Sequence, residues 1–116
     1  MIRLPSTILV ATTPVNLRLS FDRLAGIVRE QLGADPRSET VVVFHNKRRT
    51  RVKLLWHDSS GYCLLYKRLD RRVYRIPTAI PADARSVVVS ARELAVLFEG
   101  IDSAVLRAAR RASKKI

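Results

Sequence analysis

Two histidines and one cysteine, His45, His57 and Cys63, are the chain's soft metal ligands and its imidazole or thiol chemistry. Their spacing suits neither use. Structural zinc takes four such ligands, usually in close pairs, and these three stand singly. Cys63 sits among Tyr62, Leu64 and Leu65, company that predicts a buried, protonated thiol and not an activated nucleophile. Of the ten carboxylates, Asp22 falls at a helix start, Asp58 opens a turn and Glu93 completes a capping pattern. Four scattered glycines are too few for a phosphate-cradling loop or a dinucleotide fingerprint. The expectation is a non-enzyme with no catalytic residue, no metal and no cofactor.

What remains is basic chemistry. The 116-residue chain has 22 Lys and Arg against 10 Asp and Glu, a net charge of +12. Residues 45 to 75 hold ten of those cations and two acids, Asp58 and Asp70, a local balance of +8. The flanking blocks carry +1 over 1–44, −1 over 76–101 and +4 over 102–116. Charge added for solubility alone would be spread more evenly. Trp56, Tyr62, Tyr66 and Tyr74 interleave with the cations, which suits a polyanion: cations for phosphates, flat rings for bases or sugars. The candidate DNA-binding residues are Lys47, Arg48, Arg49, Arg51, Lys53, Tyr66, Lys67, Arg68, Arg71, Arg72 and Arg75. Two blander readings stand beside this one. The cations also suit an acidic protein partner, and Lys or Arg on strands guard sheet edges in water; the aromatics also suit a core.

The elements that must position these side chains are legible in the periodicity. Residues 7–12 (TILVAT), between two prolines, predict a short strand at a sheet edge. Ser20 predicts the N-cap of a helix whose apolar face is Phe21, Leu24, Ala25, Val28 and Leu32, stopped by Gly33. Glu39–His45, with its unbroken Val-Val-Val-Phe, predicts a strand buried on both faces. After a basic loop come strands at Arg51–His57, Tyr62–Leu69 and Arg72–Ile76, the first two joined through Asp58-Ser59-Ser60-Gly61. A loop at 77–85 and a short strand at Ser86–Val89 precede Ser90-Ala91-Arg92-Glu93, a capping box. The second helix shows Leu94, Leu97, Phe98 and Ile101 on one face and pauses at Gly100. The expected class is α+β: an antiparallel meander of about four to six strands packed with two helices. One domain spans 1–101, and a basic, partly helical tail spans 102–116.

If Ser59-Ser60 is a two-residue loop, the hairpin pairs His57 with Tyr62, Leu55 with Leu64, Lys53 with Tyr66 and Arg51 with Arg68. That face would be a cationic-aromatic surface; Val52, Leu54, Trp56, Cys63, Leu65 and Lys67 would line the other, toward the helices. A one-residue slip would exchange the faces.

Nothing approaches the roughly 18 apolar residues of a membrane helix. The N-terminal residues do not look like a signal peptide. One cysteine allows no internal disulfide and fits a reducing cytosol.

Three segments, FDRLAGIVREQLGADP at 21–36, VVVFHNKRRTRVKLLWHDSSGYCLLYKRLDR at 41–71 and ELAVLFEGID at 93–102, resemble the TnpB accessory proteins of the insertion-sequence sixty-six family of bacterial transposable elements. The resemblance covers about residues 8 to 102. Its most specific parts are the KLLW-x-D-x-x-G-x-x-L-x-x-KRL core at 53–69 and LFEGID at 97–102. Ser20 replaces the pattern's Gly before Phe-Asp, and Arg37 and Glu39 depart from its Asp-Pro-Phe-Ser-Gly. The resemblance implies a small protein encoded beside a separate transposase, acting in transposition, without established catalytic residues. The expectation is a bacterial cytoplasmic, nucleoid-associated protein whose partners are DNA, at element ends or as nonspecific duplex, and the transposase of the same element, with no membrane. An adapter docking on the transposase without touching DNA, and a single-strand nucleic-acid binder, are the alternatives.

Overall fold

A computed structural model describes residues 5–77 and 81–102. The elements run β1 (Thr7–Ala11), α1 (Phe21–Glu30), β2 (Thr40–His45), β3 (Arg51–His57), β4 (Tyr62–Arg68), β5 (Arg72–Val73), β6 (Ser86–Val89), α2 (Ala91–Glu99) and β7 (Ile101–Asp102). Five strands form one sheet in the order β4-β3-β2-β1-β6, and β5 pairs with β7 in a separate ribbon. The α+β class holds. The tail expected beyond residue 102 lies outside the described residues.

Two strand expectations need correction. β1 is not an edge strand: it pairs parallel with β2 and antiparallel with β6, so the sheet is mixed and not a pure meander. Pro5 and Pro14 lie outside the strand and remove no ladder donor from it. The strand expected at Arg72–Ile76 is only two residues long and pairs with β7, because Tyr74 turns into the core at 1% exposure.

The sheet is covered on both faces. Val41, Val43, Val52, Leu54 and Trp56 pack with Tyr74 and with Leu94 and Leu97 of α2. Val42, Phe44 and Leu55, one residue out of step, pack with Leu24, Ala25 and Val28 of α1. β2 is therefore buried on both sides, as its valine run implies.

Helix ends follow local chemistry. Ser90 and Glu93 close a full capping box over α2: Glu93 N–H donates to Ser90 Oγ at 3.1 Å and Ser90 N–H to Glu93 Oε1 at 3.0 Å. Ser20 sits at the N-cap of α1 without a side-chain bond, leaving its carbonyl to accept from Leu24 N–H. Gly33, at φ +64°, ends that helix in the left-handed turn a Cβ resists. Phe21, expected on the buried stripe, is 41% exposed at the helix start.

The β3–β4 hairpin has the pairing that a Ser59-Ser60 loop requires, from Arg51 with Arg68 to His57 with Tyr62. Asp58 Oδ1 sets it by accepting from Ser60 N–H at 2.8 Å and Gly61 N–H at 2.9 Å. The face holding Lys53 and Leu55 is not an open surface. α1 and the segment leading into it lie across it, leaving Leu55 at 1% exposure.

Candidate functional site

The basic residues are gathered by a turn built on Asn46. Its side-chain Oδ1 accepts from Thr50 N–H at 2.9 Å and Arg51 N–H at 3.0 Å, while its Nδ2 donates to Thr50 Oγ1. Lys47, Arg48 and Arg49 are thereby held outward, all exposed, with Arg49 at φ +59°. Turning Arg49 that way aims its carbonyl at Tyr74 N–H, 2.7 Å away, and the Thr50 carbonyl accepts from Leu69 N–H at 2.8 Å. These two backbone bonds fasten the segment following β4 onto the β2–β3 turn. Arg71, Arg72 and Arg75, more than twenty residues along the chain, come to lie beside Lys47–Arg49.

Tyr74 is the bolt. It is buried between the exposed Arg72 and Arg75, and its hydroxyl donates to the Lys67 carbonyl at 3.3 Å. Burial pushes its phenol up to about 12. Gly100 closes the assembly from the other side. It stands at φ +69° with a Cβ position 2.6 Å from Leu69 Cδ1 and 2.9 Å from the Val73 carbonyl.

Arg51 and Arg68 complete the cationic rim, directly opposed across β3 and β4. Such a like-charge pair is unfavourable unless an anion lies over it. Tyr66, two residues before Arg68 on β4, lies beside them, half exposed, with Arg51 Nη1 3.4 Å from its hydroxyl. Eight exposed cations thus meet at one end of the sheet: Lys47, Arg48, Arg49, Arg51, Arg68, Arg71, Arg72 and Arg75. Among the described residues the one ion pair is Arg68 with Asp70 at 3.9 Å, too exposed to neutralise much.

Two expected members are turned inward. Lys53 is 7% exposed; its Nζ donates to the Leu19 carbonyl at 2.9 Å and lies 5.0 Å over the Tyr66 ring. Lys67 Nζ donates to the Phe98 carbonyl at 3.0 Å and lies 4.8 Å over the Phe98 ring. α2 has no basic residue in its last turn, so Lys67 supplies the positive charge that its C-terminus favours. Trp56 is in the core at 5% exposure. Sequence reasoning gave Asn46 no role beyond the basic loop, read Tyr74 only as one of the interleaved aromatics and Gly100 only as the pause of the second helix. Asn46 carried a readable signal, as an Asx-turn former opening a polar run between two strands.

The remaining chemistry is structural. His45 is 2% exposed, with Nε2 3.1 Å from the Ala11 carbonyl and Nδ1 3.2 Å from the Asn46 carbonyl; burial holds its pKa below the ordinary value. Desolvation, then the neighbouring Asp58, pushes the Cys63 thiol up. Among the described residues no group of three His, Cys, Asp or Glu side chains is placed to hold a metal ion. No described helix is long and apolar enough to cross a membrane.

A family model described as IS66 Orf2 like protein matches residues 6–108. Two proteins of Sinorhizobium fredii (strain NBRC 101917 / NGR234), both named as uncharacterized, are similar over most of their length. One, y4hO, is 33% identical over 93 residues, covering 80% of this chain and 78% of its own. The other, y4jC, is 33% identical over 95 residues, covering 82% and 79%. No solved structure matches the chain significantly.

Proposed function

Because this chain belongs to the IS66 Orf2-like family, whose members are accessory proteins associated with transposition, we propose that it acts there by binding DNA through the cationic rim. The carrying observation is convergence. Two basic segments far apart in sequence are bolted together by the Arg49 and Thr50 carbonyls, and their eight exposed cations face solvent with one weak counter-charge. The proposed contacts are Lys47, Arg48, Arg49, Arg51, Arg68, Arg71, Arg72 and Arg75, with Tyr66 against a sugar or base. Lys53 and Lys67 leave the contact set because their ammonium groups are bonded within the fold. The role is non-catalytic.

Phosphate contacts position a protein without reading sequence, so binding in isolation is predominantly nonspecific. With about five phosphates engaged, log K falls against log salt with a slope near −4.5. A salt titration on element-end duplex, random duplex and single strand tests this. A flat response, or no binding at low salt, would sink it. Tyr66→Ala belongs in the same experiment: a larger loss on single strand than on duplex converts the reading to single-strand binding.

A second reading rests on a different surface. Ile8, Leu54, Leu65, Leu94 and Phe98 line an apolar cleft beside α2, which suits an adapter docking on the transposase. Retention by transposase after nuclease treatment favours it.

A further inference from the structure

The five-stranded sheet has two edges, β4 and β6, and they are built differently. β4 is seven residues long and carries Lys67 and Arg68, charges of the kind that keep an edge from pairing with another chain. β6 is Ser86-Val87-Val88-Val89: no charge, no proline and three β-branched residues. Among the described residues no strand pairs with its outer side.

The apolar surface agrees. The most exposed large apolar side chains in the described part are Val88, at 67%, and Val96, at 64%. Val88 points to the α1 side of the sheet, next to Leu9 of β1. Val96 lines a cleft with Val89 and Ile76 on the α2 side. Exposed valine therefore lies at the unpaired edge on both sides of the sheet, Val88 on the strand itself and Val96 on α2.

Charge decides what can approach it. Two chains of +12 repel strongly if they meet through the rim or through β4. Residues 76–101 sum to −1, so two copies that approach through this block meet less repulsion than through the +8 block at 45–75. The cleft carries both signs, Arg75 and Arg92 with Glu93. A two-fold contact brings the same patch against itself, so the Glu93 of each copy faces the arginines of the other.

We propose that β6 is a self-association edge: two copies pair their β6 strands antiparallel and continue the sheet to ten strands. This surface shares only Arg75 with the proposed DNA contacts, and either reading can fail alone.

The test is the molar mass of the full chain, nuclease-treated, by light scattering after gel filtration across a range of protein concentration at moderate salt. The expected mass is twice the 13.1 kDa of one chain. Val88→Lys puts a gatekeeping charge on the edge and should return the 13.1 kDa species with unchanged far-UV circular dichroism. Val88→Thr, which keeps strand propensity, should shift the dimer toward monomer less strongly. Leu65→Lys, on β4, should leave the dimer intact. A wild-type monomer at every concentration overturns the proposal. So does a Val88→Lys dimer, or dissociation by Leu65→Lys in place of Val88→Lys.

Discussion

Asn46, His45 and Gly100 hold segments that carry or brace the cations, and Asp58 sets the turn at the far end of the β3–β4 hairpin. Gly100 occupies a backbone region open almost only to glycine, and Gly100→Ala adds a clash with the Val73 carbonyl. The substitution should cost about 1–3 kcal/mol, read as a lower urea midpoint. His45 and Asp58 give stability two separate pH dependences. Burial lowers the pKa of His45, so the unfolded chain takes up its proton first and stability falls as pH drops below about 6.5. The Ser60 and Gly61 N–H groups, with the Ser60 hydroxyl, hold Asp58 down to about 2. Its contribution is full above the ordinary carboxylate range and is lost as pH falls toward that value. Urea midpoints measured against pH should therefore fall in two steps. His45→Gln should flatten the upper step and Asp58→Ala the lower.

At the scale of elements, the rim exists because a turn and a ribbon are fastened to each other, and charge counting alone does not separate its members. Arg51 and Lys53 are two residues apart on one strand face, yet Arg51 is exposed and Lys53 is sealed beneath the loop into α1. Arg51→Ala should lower the magnitude of the salt slope by about 0.9, one phosphate contact. Lys53→Met should leave that slope unchanged and show its effect in stability. The same contrast shows what a sequence can carry. Alternation, turn chemistry and capping act between neighbours, so the hairpin register, the doubly buried β2 and the Ser90–Glu93 box were all legible. β1 was misplaced because edge or centre is decided by which strand arrives on its other side, here β6, more than seventy residues later. Lys67 was misread for a similar reason: its partner is a helix terminus 31 residues away.

Among the described residues, most of the exposed cations lie away from the β6 edge, and Arg75 alone of the rim also lines the cleft with Val89 and Val96. β4 and β6 are four strand spacings apart, about 19 Å at the usual 4.8 Å per step. Arg51 and Arg68 belong to the β3–β4 side of the sheet, and the self-association edge is at the other side. Pairing through β6 would put the two outermost strands of a ten-stranded sheet about 43 Å apart, nine spacings. Each copy then presents its own rim, and one dimer can hold two duplex segments at once, which a monomer with a single rim cannot. This yields a prediction that neither surface makes alone. In a bead pull-down, immobilised duplex should capture a second, labelled duplex only when the protein is present, and the bridge should dissolve as salt rises. Val88→Lys should abolish the bridge while keeping the salt slope of single-duplex binding. An Arg71→Ala, Arg72→Ala double variant should weaken both, because it alters every rim and leaves the β6 edge intact. Bridging that survives Val88→Lys would mean that one rim can engage two duplexes, and the separation of the two surfaces would then have no functional consequence.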